Sequence, residues 1–177
     1  RPVAAATVRE GRSRRIGVIR CDGGRKALMA SIGLDALAAH LRRVDARPGQ
    51  RGMARYAAAL LKAARGYRCP EVTVRGDGDA SARGRYLSVV VGQHPFYGYG
   101  LLVNRGGLND PTLSLRVVPG PLVALPVVLA AAALRRRPGP GRCLAGSFFA
   151  VSTSQPVWLQ CDGEAVRQGQ EFVFERL

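Results

Sequence analysis

The C-terminal part of the sequence has the pattern of a β-hairpin, and this hairpin limits the folds that the chain can adopt. Strand-like residues run from Pro156 to Gln160, and a second run covers Glu171–Phe174. Asp162-Gly163 between them is a strong turn pair, because glycine takes a positive φ without steric cost and aspartate bonds to the turn backbone. Glu164 follows the turn and would be held by two strands. A carboxylate positioned in this way suits a general base, and a solvated turn acid is the alternative interpretation.

Short strand-like runs separated by glycine-containing turns recur along most of the chain. They are predicted at 3–10, 14–21, 27–32, 72–74, 86–91, 101–103, 113–118 and 148–151. Two helices are predicted at 34–43 and 50–64, where apolar residues recur at helical spacing. The predicted fold is mainly β (α+β). It is an antiparallel two-layer β-sandwich with a helical insertion near residues 34–66 and a further helix near 121–136.

The apolar run at 122–134 has two interpretations. It is too short to span a membrane, and Pro126 interrupts it. The three arginines that follow suit the negative end of a helix dipole, which favours a buried helix. A helix lying on a membrane surface is the alternative. No internal repeat or long linker divides the sequence, so we expect a single domain over residues 1–177.

The net charge of +15 comes from 27 Lys and Arg residues against 12 Asp and Glu, and only Lys26 and Lys62 are lysines. Such a surface favours anionic partners, namely nucleic acid, acidic lipid headgroups or phosphorylated small molecules. A GC-rich genome is the alternative source of an arginine-rich composition. Nucleic acid is disfavoured, because Phe96, Tyr97 and Tyr99 cluster in one loop and do not alternate with basic residues along strands.

The four cysteines are widely spaced, with no C-x-x-C pair and no histidine near any of them. A zinc site is therefore not expected. Because no signal peptide opens the sequence, we expect reduced thiols in a cytoplasmic protein. The first residue is Arg1, so the sequence is expected to be part of something longer.

Three stretches, taken in order, resemble the diacylglycerol and sphingosine kinase superfamily, in particular bacterial lipid kinases of the YegS type. They are the glycine-centred segment Ala30–Ala36, the strand Val89–Gly92 with its glycine-rich turn at Gly98–Gly100, and Asp162-Gly163-Glu164. In that family a nucleotide-binding domain with the motif Gly-Gly-Asp-Gly-Thr precedes a β-sandwich domain. The resemblance covers the second domain only, since no Gly-Gly-Asp-Gly-Thr occurs here.

The resemblance implies roles for particular residues. Glu164 would be the base that accepts the proton of the lipid hydroxyl, and Asp162 and Gly163 would shape the turn, with Asp162 also a candidate for approaching the metal. A magnesium loop would supply Asp110 with the carbonyls of Gly107 and Thr112. Pro111 stands where the family has glycine, which alters the backbone of that loop.

The resemblance implies ATP and Mg²⁺ as cofactors, a nucleotide-binding domain upstream, and a lipid substrate met at the surface of an anionic membrane on its inner face. The first functional hypothesis is therefore the C-terminal, substrate-side domain of an ATP-dependent lipid kinase acting on diacylglycerol or a related lipid. On that hypothesis the 177 residues alone would be inactive. The alternative is a catalytically inactive remnant that binds anionic lipid. The sequence does not determine the oligomeric state.

Overall fold

The computed structural model describes residues 11, 16–45, 52–97, 101–102, 110–120 and 141–177. The predicted strand at 3–10, the predicted helix near 121–136 and Gly107 lie outside the described residues. The described elements, in chain order, are β1 (Ile19–Cys21), β2 (Arg25–Ala27), β3 (Met29–Gly33), α1 (Leu34–Val44), α2 (Met53–Ala64), β4 (Glu71–Gly76), β5 (Ser81–Gly92), β6 (Phe96–Tyr97), β7 (Leu101–Leu102), β8 (Leu113–Pro119), β9 (Arg142–Gly146), β10 (Phe148–Cys161) and β11 (Glu164–Arg176). The mainly β character and the helical insertion near 34–66 are confirmed.

One nine-stranded antiparallel sheet forms the body of the described part. β4 pairs with β5 and with β10, and β3 pairs with the same two strands. These pairings form a closed circuit, β10–β3–β5–β4, so the sheet is barrel-like. The predicted two-layer sandwich is wrong on this point. The cause is strand length, because β5 has 12 residues and β10 has 14, and each pairs with β4 through one half and with β3 through the other.

The remaining strands extend the sheet from this circuit. β11, β1 and β2 continue from β10, while β8 and β9 continue from β5. The two predicted strands at 148–151 and 156–160 are one strand, β10, because a register shift between Ser152 and Val157 keeps both halves paired with β11. Such an irregularity bends a strand without ending it. β10 and β11 therefore form one long hairpin whose turn is Asp162-Gly163.

The core lies between the inward faces of these strands. Its largest fully buried side chains are Phe149, Phe172, Phe174, Ile19, Ile32, Leu113, Leu115 and Leu159. The aromatic side chains come from the β10–β11 hairpin, while β1, β3 and β8 supply aliphatic side chains. The hairpin therefore carries the turn at one end and a large part of the core along its length.

The two helices pack on a second apolar cluster, which contains Leu34, Ala38, Leu60, Leu87 and Val118 among its members. The predicted apolar face of the first helix is thus confirmed. α1 begins directly after Gly33, which has a φ of 108°. A Cβ atom at Gly33 would lie 2.4 Å from the carbonyl oxygen of Leu87. Glycine is therefore required where the chain leaves β3 and enters α1.

The packing of the core predicts that two adjacent phenylalanines of β10 contribute differently to the free energy of unfolding. Phe149 is fully buried and Phe148 is 40% exposed. Phe149→Ala should lower the free energy of unfolding by about 3–5 kcal/mol, because it removes a buried ring and leaves a cavity. The matched control, Phe148→Ala, should cost less than about 1.5 kcal/mol. Urea denaturation followed by circular dichroism measures both, and equal losses would contradict the assignment of the core.

Candidate functional site

The turn between β10 and β11 has the geometry that Asp-Gly favours. Cys161 pairs with Glu164, which leaves Asp162 and Gly163 as a two-residue loop. Both loop residues have positive φ, 49° for Asp162 and 90° for Gly163. Two-residue hairpin loops with positive φ at both positions match the twist of the flanking strands. The predicted Asp162-Gly163 turn is confirmed.

The Asp162 carboxylate fastens this turn to the junction between β2 and β3. It accepts hydrogen bonds from the backbone N–H groups of Leu28, at 3.1 and 3.2 Å, and of Met29, at 3.0 Å. In return the backbone N–H of Asp162 donates to the carbonyl of Met29 at 2.9 Å. Hydrogen bonds to an ionised acceptor are stronger than those between neutral groups. These hydrogen bonds tie the turn to the backbone of Leu28 and Met29.

Gly163 is held through both of its peptide groups. Its carbonyl accepts a hydrogen bond from the guanidinium of Arg42 on α1, at 3.0 Å. Its N–H donates to the side-chain oxygen of Gln160, at 2.6 Å. The turn is thus fixed from the β2–β3 junction, from α1 and from within β10.

Glu164 is the first residue of β11, and its backbone is fixed while its side chain reaches solvent. The side chain is 76% exposed and lies 3.5 Å from the guanidinium of Arg25 on β2. An exposed ion pair of this kind contributes little to stability, about 0–1 kcal/mol. The carboxylate is therefore accessible to another molecule, and a cation stands beside it.

The turn lies at the same edge of the sheet as the start of β8. Asp162 bonds to Met29, Met29 pairs with Gly92 on β5, and Gly92 pairs with Ser114 on β8. Neighbouring strands are about 4.8 Å apart, so three such steps separate the two ends of this row. The fold therefore brings the turn and the segment before β8 to one edge.

The predicted metal loop reaches this edge in part. Asp110 and Thr112 are half-buried just before β8, and Gly107 lies outside the described residues. The side-chain amide of Gln93 donates to the backbone carbonyl of Asp110 at 2.9 Å. Carboxylate and carbonyl oxygens are the donors that Mg²⁺ prefers, so the chemistry of Asp110 and Thr112 fits the predicted ion. Within the described ranges, no three His, Cys, Asp or Glu side chains group together as a metal site.

Two thiols meet in the core beside the turn. Cys21 of β1 and Cys161 of β10 are both buried. A hydrogen bond with Cys161, together with burial, raises the pKa of Cys21 above its ordinary value. All four cysteines are free.

A groove of about 330 Å³ lies between the two helices and the β10–β11 hairpin. Its walls include the apolar and aromatic side chains of Leu37, Ala63, Tyr67, Val157 and Trp158, together with the cations Arg65 and Arg68. Trp158 stacks on His40 of α1, with 3.9 Å between the ring centroids. His40 is therefore a partly buried side chain that packs on an aromatic ring.

Sequence reasoning missed four residues of this site, namely Arg25, Arg42, Gln93 and Gln160. Arg25 and Arg42 lie among many arginines, and nothing local distinguishes them from the rest. The sequence pattern places Gln160 only as the last residue of a strand. The available signal was a long polar side chain two residues before the turn acid Asp162, within reach of the turn backbone.

Solved structures with a similar fold come from Bacillus anthracis strain Sterne. One, described as a diacylglycerol kinase, matches with a TM-score of 0.69 and 17% sequence identity, and the match covers 98% of this chain and 57% of that one. Two others, described as candidate diacylglycerol kinases, match with TM-scores of 0.67 and 0.69 and identities of 17% and 18%. Each match covers 98% of this chain and 56% of the other. No protein-family model and no curated protein matches the chain.

These matches show that the chain shares its fold with structures described as diacylglycerol kinases. At 17–18% identity, the shared property is the architecture of the chain. The chain spans a little over half of the length of each structure. In the described part of the chain, no helix combines the length and apolar character needed to cross a bilayer.

The Asp162 contacts generate a prediction about the stability of the turn. Asp162→Ala should lower the free energy of unfolding by about 1–3 kcal/mol, because it removes a charged acceptor from two backbone N–H groups. Asp162→Asn should cost less, since asparagine keeps one acceptor oxygen and tolerates positive φ. Urea denaturation measures both. Asp79→Ala, in an exposed turn, is the control and should change stability by less than about 0.5 kcal/mol.

Proposed function

We propose that this chain is the substrate-side domain of an ATP-dependent lipid kinase, with Glu164 as the general base. The observation that carries the proposal is the exposed Glu164 carboxylate on an immobilised turn, in a fold shared with structures described as diacylglycerol kinases. The reaction is transfer of the γ-phosphoryl group of ATP to the hydroxyl of diacylglycerol or a related lipid.

In this mechanism Glu164 accepts the proton of the lipid hydroxyl as the oxygen attacks phosphorus. The turn contacts hold the backbone, so that the carboxylate approaches the hydroxyl from a defined direction. Arg25 lies close enough to pair with the resting carboxylate, 3.5 Å away. A lipid hydroxyl that enters between Arg25 and Glu164 would replace the guanidinium as the hydrogen-bond partner of Glu164.

The proposal includes ATP and Mg²⁺ as cofactors. Magnesium, when bound, would supply positive charge that neutralises the phosphate oxygens. Asp110 and the carbonyls of Thr112 and Gly107 are the residues of this chain that would hold the ion. The nucleotide itself would bind to a separate upstream domain. The coverage of 56–57% of the similar structures supports such a second domain.

The lipid would reach the site at an anionic membrane surface, bound peripherally on the inner face. The β2–β3 junction beside Glu164 supports this, because it exposes Arg25, Lys26 and Leu28, and Leu28 is 44% exposed. Basic side chains near an anionic surface each contribute about 1 kcal/mol to membrane binding. The groove beside α1 offers apolar walls to an acyl chain and two arginines at its rim.

The second candidate function is a catalytically inactive domain that binds anionic lipid. Two observations favour it. Pro111 stands in the predicted metal loop, where it fixes φ and removes a backbone N–H. Arg25 also pairs with the carboxylate that would act as base. The two candidate functions predict the same membrane binding. They differ only in whether the protein transfers a phosphoryl group.

The decisive experiment measures phosphoryl transfer from Mg-ATP to short-chain diacylglycerol by the full-length protein. Glu164→Gln should lower kcat by about 100-fold or more, because the amide cannot accept the proton. Glu175→Gln is the matched control, since Glu175 lies on the same strand, is exposed and also pairs with an arginine, Arg20, at 3.2 Å. Glu175→Gln should leave kcat within about twofold. No transfer to any lipid tested by the unaltered protein would favour the inactive lipid-binding domain.

Membrane binding has its own prediction. Lys26→Glu combined with Leu28→Ser should weaken co-sedimentation with phosphatidylglycerol-containing vesicles by about tenfold at 0.1 M salt, because a cation and an apolar contact are lost together. Arg75→Glu, which makes the same charge change at an exposed residue of β4, should weaken it by less than about threefold. Equal losses would indicate binding through overall charge and would contradict a specific surface at the β2–β3 junction.

A further inference from the structure

A buried polar chain runs from the first turn of α1 to the N–H of Gly163, the residue before Glu164. Gln160 is 1% exposed, and its amide nitrogen donates to the hydroxyl of Ser31 at 2.8 Å. The Ser31 hydroxyl in turn donates to the carboxylate of Asp35 in α1. At the other end, the side-chain oxygen of Gln160 accepts from the N–H of Gly163 at 2.6 Å. One amide thus joins a helix to the turn.

The same helix reaches the turn a second time. Arg42, two helical turns after Asp35, donates to the carbonyl of Gly163 at 3.0 Å. The backbone carbonyl of Arg42 is itself bonded by Arg55 of α2, at 2.6 Å. Gly163 therefore has its N–H and its carbonyl bonded by groups that are connected to α1.

These bonds fix the orientation of the residue directly before the base. The N–H of Gly163 belongs to the peptide group shared with Asp162, and its carbonyl belongs to the peptide group shared with Glu164. Fixing both peptide planes leaves the Cα of Glu164 little freedom to rotate or shift. The two bonds to Gly163 are partly buried, and the bond between Gln160 and Ser31 behind them is buried, so water competes less for these partners.

We propose that Gln160 is a positioning residue for Glu164, and that Ser31 and Arg42 complete the link through which α1 sets the direction of the base. Gln160 contacts neither substrate nor nucleotide in this proposal and acts only through Glu164. The inference rests on the proposed kinase function and names residues that this function did not require.

The test uses Gln160→Met, which keeps the length and buried volume of the side chain and removes the hydrogen bonds to Ser31 and Gly163. In the full-length protein we expect kcat to fall by about 10–100-fold, while KM for Mg-ATP and for short-chain diacylglycerol stays within about twofold. Thr153→Val is the matched control. Thr153 is also a buried polar residue of β10, but it bonds to the backbone of Gln155 and Gln170, away from the turn. This control should lower stability and leave kcat unchanged.

A double variant separates positioning from general structural damage. In the Glu164→Gln background, adding Gln160→Met should lower kcat by less than about twofold, because a residue that acts through the base has no base left to position. A further loss as large as that of the single Gln160 variant would overturn the proposal. If Glu164→Gln alone left kcat unchanged, the proposed function would fail first, and the two failures are therefore distinguishable.

A measurement without activity supports the same conclusion. Amide hydrogen exchange at Gly163 should be at least about tenfold faster in Gln160→Met than in the unaltered protein, since its N–H loses its acceptor. If Gln160→Met does not fold, Ser31→Ala and Arg42→Met replace it. Ser31→Ala removes the bonds of the hydroxyl to Gln160 and Asp35, and Arg42→Met removes the bond of the guanidinium to the carbonyl of Gly163. Unchanged kcat in both of these variants would overturn the proposal.

Discussion

β4 is hydrogen-bonded along both of its edges, and the rest of the described fold depends on this double pairing. Because β4 and β3 each join β5 to β10, four strands close on themselves and turn their apolar side chains toward one core. The remaining strands extend from this circuit. The long hairpin of β10 and β11 is consequently anchored along its length by core aromatic residues, and its turn has a fixed position at one edge of the sheet.

At that edge the backbone of the turn is rigid, while the side chain of Glu164 is exposed. A general base needs this combination. The backbone around Gly163 is held by contacts from three parts of the fold, through Asp162, Arg42 and Gln160. The Glu164 carboxylate nevertheless extends into solvent. Rigidity supplies the direction of approach, while exposure allows another molecule to reach the oxygen atoms. A turn acid on a freely moving loop would have the exposure without the direction.

Part of the fold and part of the candidate site were predictable from local sequence, and the rest was not. The Asp162-Gly163 turn and the apolar face of α1 follow from rules that concern neighbouring residues, and both are confirmed. The two-layer sandwich was wrong, because strand pairing joins residues far apart in sequence and no local pattern reports a strand with two partners. Gln160 was overlooked for a related reason. The alternation of side chains along β10 places Gln160 on the face opposite the core, which usually faces solvent. Here α1 covers that face and buries the side chain.

The sequence by itself determined where the chain turns, because Asp162-Gly163 and Gly33 need backbone angles that few other residues adopt. It also determined which segments alternate as strands and that the surface is strongly basic. Only the tertiary structure decided which cations meet the turn. Arg25 and Arg42 are 139 and 121 residues away from their partners in the chain. Such contacts form only after the strands have paired, since their free energy is too small to direct the pairing.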